Sequence, residues 1–216
     1  FCEMRKKKGM TMDKALEFMR NRLFFGNMMV RKGEADGMVA GSIASTPDML
    51  RAAFTVIGTA PGLKTGSSCF VMDLAKPAPN GETTLLYADC GVNPNPTAEE
   101  LSDIALATAT SYKAMVGKQP RIAFLSFSTA GSAQHELVDK VVKSLEITKR
   151  RVKELGLDIV VDGELQADAA LVPAVGAKKC PKSAIKGDAN ILIFPDLQAG
   201  NIAYKLTERL AGAAAY

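Results

Sequence analysis

Thr84-Leu85-Leu86-Tyr87-Ala88, followed by Asp89-Cys90-Gly91-Val92-Asn93-Pro94-Asn95-Pro96, decides the fold of this chain. The first five residues form an apolar run without polar alternation, the pattern of a strand buried on both faces. The next eight turn that strand into a helix through a rigid polar corner. The residue before each of Pro94 and Pro96 is pushed out of the helical region. Thr97 then reads as an N-cap, and Glu100, three residues on, completes a capping box. Corners at the carboxyl ends of strands are where α/β proteins place ligand chemistry. A second corner, Phe194-Pro195-Asp196-Leu197-Gln198-Ala199-Gly200-Asn201, follows the strand Asn190-Ile191-Leu192-Ile193.

Outward from these corners, strands and helices alternate. On the amino-terminal side, Thr11 caps a helix through Met12–Met19, and a second apolar segment runs from Leu23 to Val30. A short strand is expected at Met38-Val39-Ala40 and a helix at Met49–Ile57, ended by Gly58. Thr59-Ala60-Pro61-Gly62 breaks both flanking patterns and reads as a hinge. Strands at Ser67–Leu74 and Thr83–Ala88 flank a hairpin tip at Lys76–Gly81. Beyond the first corner come a helix at Ala98–Met115 and a strand at Arg121–Phe127. A long helix follows, marked by Val138, Val141, Val142, Leu145, Val152 and Leu155 at helical spacing, with Gly156 as its C-cap. A strand at Asp158–Val161, a helix around Leu165–Leu171 and a helix at Asn201–Leu210 complete the pattern. It predicts an α/β fold with a mostly parallel sheet and helices on both faces.

Composition narrows the function classes. The 216 residues are 47% hydrophobic and 23% charged, as in ordinary soluble globular proteins. No apolar run approaches the ~18 residues of a membrane span. The opening Phe1-Cys2-Glu3-Met4-Arg5 lacks the apolar core of a secretory leader, and phenylalanine is not where translation is expected to start. Four scattered cysteines and one histidine, His135, argue against a zinc site and for reduced thiols in the cytoplasm. A net charge of +4 mildly suits an anionic small substrate. The basic run Arg5-Lys6-Lys7-Lys8 has too few aromatic neighbours to argue for nucleic acid, and reads as a solvated helix end.

Three segments hold residue types that bind or transform ligands. Ser128-Thr129-Ala130-Gly131-Ser132 precedes the long helix; it fits an anion site at a helix start, and equally a plain N-cap at Ser132. In Ser45-Thr46-Pro47-Asp48-Met49-Leu50-Arg51, two hydroxyls precede a helix and Arg51 lies about one turn inside it. A guanidinium there offers bidentate bonds to phosphate or carboxylate; the plain alternative is an Arg51–Asp48 pair on a solvated face. Asp162-Gly163-Glu164-Leu165-Gln166-Ala167-Asp168 lines a cleft or caps the following helix. His135, beside Gln134 and Glu136, reads as exposed and structural. No glycine-rich nucleotide fingerprint and no nucleophile elbow is present.

Taken together these segments resemble phosphate acetyltransferase (phosphotransacetylase). The resemblance runs through Arg5–Thr11, Gly33–Gly41, Ala88–Thr97, Leu125–Thr129, Asp162–Asp168 and Phe194–Ile202, nearly the whole chain in order. It implies two α/β domains around a cleft, isocitrate/isopropylmalate dehydrogenase-like, with residues 1–62 forming part of the first and 63–216 the second. It further implies a cytoplasmic homodimer whose substrates are acetyl phosphate, phosphate, coenzyme A and acetyl-CoA, with no metal, cofactor, nucleic acid or membrane partner. The implied reaction is thiolate attack on the acyl carbonyl in a ternary complex, with an aspartate taking the thiol proton. Position by position, Arg51 matches the arginine that holds the acyl phosphate, with Ser45 and Thr46 beside it. Arg5 matches an arginine of coenzyme A binding, and Ser128 and Thr129 match the hydroxyl loop.

Two departures stand out. Ala52 replaces a proline common after the arginine. The serine–arginine–glycine segment and the aspartate base are expected beyond Tyr216, which makes the chain an internal piece of an enzyme. Two neighbouring functions share the pattern: an acetyl-CoA-sensing, non-catalytic domain like that of some malic enzymes, and phosphate butyryltransferase.

Overall fold

The computed structural model describes residues 1–216, which form two compact units, Phe1–Gly62 and Leu63–Tyr216. The first contains α1 (Cys2–Arg5), a 3-10 turn (Lys6–Lys8), α2 (Met12–Arg20), α3 (Arg22–Lys32) and α4 (Thr46–Val56). Each longer helix starts where a side chain satisfies an orphan amide. Thr11 accepts from Lys14 N–H, Asn21 from Leu23 N–H, and Ser45 from Asp48 N–H. Leu23, Phe24, Ala52 and Val56 make its small core, against which Met19, Met28 and Met49 pack. Phe1, Phe18 and Phe24 close one end as tilted and edge-on ring pairs.

The strand expected at Met38–Ala40 does not form, and Val39 is fully exposed. No other segment of this unit is extended to pair with it, and an unpaired strand gains nothing over solvated backbone. The first unit, residues 1–62, therefore consists of helices and connections, not of an alternating α/β pattern.

The second unit is a three-layer sandwich. Its elements are β1 (Phe70–Asp73), β2 (Thr84–Ala88), α5 (Ala98–Val116), β3 (Arg121–Leu125), α6 (Glu136–Glu154), β4 (Val160–Leu165), α7 (Ala167–Leu171), α8 (Pro173–Lys179), β5 (Ile191–Ile193), α9 (Leu197–Ala211) and β6 (Ala214–Ala215). The six strands lie in the order β4-β3-β5-β2-β1-β6. The pairs β4–β3, β3–β5 and β5–β2 are parallel, whereas β2–β1 and β1–β6 are antiparallel. The sheet is thus mixed but mostly parallel, as expected, with three of its five strand pairs parallel. The β1–β2 hairpin dictates one antiparallel pair, and the alanine-rich tail adds β6 along the outer edge of β1.

Both faces of the parallel strands are buried, so their residues alternate between two cores. Leu86, Ala88, Ile122, Phe124, Ile191 and Ile193 face α5 and α6. Leu85, Tyr87, Ala123, Leu125, Leu192 and Phe194 belong to the opposite core, with residues of α7 and α9. This accounts for the unbroken apolar runs in the sequence. β2, β3, β4 and β5 run the same way, which gathers their carboxyl-end loops, including both proline corners, along one edge.

Candidate functional site

The first corner is built by one carboxylate. Asp89 is 2% exposed; its Oδ1 accepts from Gly91 N–H (3.0 Å) and Val92 N–H (3.1 Å), and its Oδ2 from Asn93 N–H (3.0 Å). The Ser68 hydroxyl and the Asn93 side-chain amide also donate to it. Three consecutive backbone amides converging on one side chain fix the turn. They leave this carboxylate fully engaged. Thr97 and Glu100 then form the capping box reciprocally, at 3.2 and 2.7 Å.

The second corner is stitched to the first. Asp196 caps α9 by accepting from Ala199 N–H (2.9 Å), and Leu197 N–H donates to Pro94 O (3.1 Å). Asn201 Nδ2 donates to Cys90 O (3.1 Å). Lys140 reaches from α6 to Asn95 Oδ1 (2.8 Å) and Pro195 O (2.9 Å). Burial pulls its ammonium below the usual lysine range, which the Asp196 charge opposes. Contact at Gly200 is so close that a Cβ there would stand 2.3 Å from Asp89 O. Sequence reasoning found both corners but missed Lys140, whose link to them spans 45 and 55 residues.

The loop after β3 is closed from inside. Ser128 is 0% exposed and Thr129 5% exposed. The Ser128 hydroxyl donates to Glu164 Oε1 (2.7 Å) and accepts from Ala133 N–H (3.1 Å); Thr129 Oγ1 accepts from Gln166 N–H (2.9 Å). Gly131 N–H also donates to Glu164 (2.7 Å), so Glu164 braces the loop. Ser132 does not cap α6. Its hydroxyl accepts from Thr129 N–H (3.0 Å), and His135 caps the helix through Nδ1. Asp162 and Glu164 lie within β4 and do not cap the following helix, while Asp162 lines a cavity beside the strand. Each is held there by a partner distant in sequence.

Beside β4 a cavity of about 390 Å³ is lined by Lys149, Asp162, Lys179 and Lys182. Asp162 pairs with Lys149 (2.6 Å) and accepts from the Ser183 hydroxyl and Ala184 N–H, both at 2.7 Å. Burial pushes the Asp162 carboxyl up, but these bonds outweigh it and hold it below the usual range. Among the thiols, Cys90 is pushed up to about 12, first by burial and then by Asp89 and Cys69, so it keeps its proton at neutral pH. No three His, Cys, Asp or Glu side chains stand close enough together to hold a metal ion. No helix is long and apolar enough to cross a membrane.

The first unit holds the cavity that contains Arg51, about 350 Å³ in volume. Phe18, Leu23, Phe24 and Ile43 make its apolar lining, and Arg22, Asp48 and Arg51 its charged lining. The Arg51–Asp48 pair left open by the sequence does not form. Asp48 Oδ2 instead accepts from the Ser45 hydroxyl (2.7 Å), and Arg51 has no carboxylate within salt-bridge distance. Thr46 is the exposed first residue of α4 and does not line the cavity. Arg5 lies in α1, half-buried, with a buried Nε that has no hydrogen-bond partner. Thus the structure brings Arg51 together with Arg22 and Asp48, places Ser45 as their neighbouring cap, and holds Ser128 and Thr129 inside the second unit. Arg22 was missed because an exposed arginine after an asparagine carries no motif.

The profile of the family described as phosphate acetyl/butaryl transferase matches residues 1–216. A phosphate acetyltransferase of Thermoanaerobacterium thermosaccharolyticum is 52% identical over 213 residues, covering 99% of this chain and 64% of the relative. A phosphotransacetylase from Streptococcus pyogenes superposes with a TM-score of 0.88 at 45% identity, over 100% of this chain and 62% of that one. The EutD phosphotransacetylase from Staphylococcus aureus gives 0.89 at 39% identity, over 98% and 62%. The chain therefore spans somewhat under two thirds of the length of these relatives.

Proposed function

We propose, from the premise that this chain belongs to the phosphate acetyl/butaryl transferase family, that it serves reversible acetyl transfer between acetyl phosphate and coenzyme A. The sulfur of coenzyme A attacks the carbonyl carbon of acetyl phosphate, the bond from that carbon to the phosphate oxygen breaks, and inorganic phosphate departs. The thiol proton goes to a general base, an aspartate that the resemblance places outside residues 1–216.

One observation carries the role of this chain. Arg51 lines a cavity in which no carboxylate comes within salt-bridge distance of it, and Asp48, the one acid there, accepts from the Ser45 hydroxyl. A guanidinium so placed neutralises the acyl phosphate on binding and the charge gathering on the leaving phosphate. Ser45 acts by holding Asp48, and Thr46 stands next to it at the helix start. Arg5, with its unpartnered Nε, is the residue we assign to coenzyme A. Ser128 and Thr129, their hydroxyls engaged internally, shape a loop at the carboxyl edge of the sheet and reach phosphate only through that shape. In the whole enzyme we infer the two-domain, isocitrate dehydrogenase-like architecture, with residues 1–62 belonging to the first domain, and a cytoplasmic homodimer working without metal or cofactor.

The test is thioester formation from acetyl phosphate and coenzyme A by the enzyme encoded by the full reading frame. Arg51→Ala should lower kcat/KM by roughly ten- to a hundredfold, the worth of one charged hydrogen bond. An unchanged kcat/KM removes Arg51 from the site, and absence of thioester formation by the unmodified enzyme removes the function.

A further inference from the structure

We propose that Arg22 is a second anion-holding residue of the Arg51 cavity, so that the pocket takes a phosphate group as its dianion between two guanidinium groups. This rests on the assignment of Arg51 above and deepens it by naming the charge state and class of ligand.

Arg22 is the first residue of α3 and its position is fixed by Asn21, whose side chain accepts from Leu23 N–H (2.9 Å). It lines the same cavity as Arg51. Three other arginines of the chain have internal partners. Arg121 pairs with Asp188, Arg151 with Asp103 at 2.7 Å, and Arg31 donates to Val56 O at 2.7 Å. Arg22 and Arg51 have no carboxylate within 4.0 Å. Asp48 is the only acid in the lining, and the Ser45 hydroxyl engages it. Two guanidinium groups against the single Asp48 carboxylate leave the lining net positive, and a doubly charged anion is drawn to it more than a singly charged one. Planar guanidinium forks suit the several oxygens of phosphate better than the two of a carboxylate.

The apolar lining sets the rest of the ligand. Phe18, Phe24 and Ile43 offer apolar surface and no donor of their own side chains. A small uncharged group attached to a phosphate fits that division, as in an acyl phosphate.

The experiment is calorimetric titration of inorganic phosphate into the 216-residue chain, at a pH where phosphate is mainly dianionic, with acetate as the monoanionic comparison. Arg22→Ala should weaken phosphate binding roughly tenfold, and Arg22→Lys should recover part of it by restoring charge without the fork. Acetate should bind more weakly than phosphate and respond less to Arg22→Ala. Arg20→Ala, an exposed arginine outside the cavity, should change nothing, which controls for net charge. If Arg22→Ala binds phosphate like the unmodified chain while Arg51→Ala does not, the Arg22 proposal is overturned and the role of Arg51 stands. If Arg51→Ala also binds normally, or the unmodified chain binds no phosphate, both fall together.

Discussion

Replacing Asp89 by alanine should unfold the first corner, and the loss can be sized from its bonds. Five donors converge on this carboxylate: three backbone amides, the Ser68 hydroxyl and the Asn93 amide. A hydrogen bond to a charged group contributes about 1.5–3 kcal/mol, and an unpartnered buried donor costs about 1–3 kcal/mol. These terms are not additive, and Gly91 is exposed enough for water to reach its amide. A total of about 3–5 kcal/mol remains, a large share of the ~5–15 kcal/mol that stabilises a typical domain. Asp89→Asn keeps the volume but turns an amide group toward donors, and should cost nearly as much. Ser68→Ala, which removes a single donor, should cost about 1 kcal/mol. Urea unfolding of the three variants at neutral pH measures these differences as midpoint shifts at unchanged slope. A loss below about 1 kcal/mol for Asp89→Ala would refute the view that this carboxylate builds the corner.

Three further substitutions test other contacts. Gly200→Ala drives a Cβ to 2.3 Å from Asp89 O and 3.0 Å from Cys90 Sγ, so thermal unfolding should show a loss of about 3 kcal/mol or more; a tolerated alanine contradicts the close approach of the corners. Tyr112 is 0% exposed and its hydroxyl has no partner, so Tyr112→Phe should be neutral or stabilise by up to about 1 kcal/mol, and a clear loss in urea unfolding would reveal a bond to that hydroxyl. Burial would raise the Asp103 carboxyl, but Lys64 N–H, Arg151 and Thr65 N–H together hold it below the usual range. A carboxyl depressed on folding contributes stability above its unfolded pKa of ~3.9 and loses it as pH falls through the folded value. Asp103→Asn should therefore cost more at pH near 7 than in acid below that range, and an equal loss at both contradicts the ion pair.

The parts legible in the sequence were those fixed by local chemistry or by continuous burial. Leu85–Ala88, Ile122–Leu125 and Ile191–Phe194 could be read as strands because both faces meet a core. Thr97 and Glu100 could be read as a capping box because both bonds span three residues. What escaped depends on partners distant in the chain. Ala214–Ala215 becomes a strand only because β1 presents a free edge, which no propensity of alanine foretells. Met38–Ala40 has strand-forming residues but no partner. Asp162 and Glu164 look like loop or cap residues until Lys149 and Ser128 satisfy them inside β4. Ser132 and His135 both precede α6; the Ser132 hydroxyl is engaged by Thr129 N–H, and His135 caps the helix. Of the residues of the proposed site, Arg51 was singled out from its helix, whereas Arg22 became visible only through the cavity it shares.

The most direct measurement is backbone amide NMR of the chain during titration with acetyl phosphate. Shifts should concentrate at Asn21, Arg22, Leu23, Ala44, Asp48 and Arg51, the surroundings of the 350 Å³ cavity, and should vanish in Arg51→Ala. Shifts centred instead on the lysine-lined cavity at Lys149, Lys179 and Lys182, or a response that survives Arg51→Ala, would contradict the account.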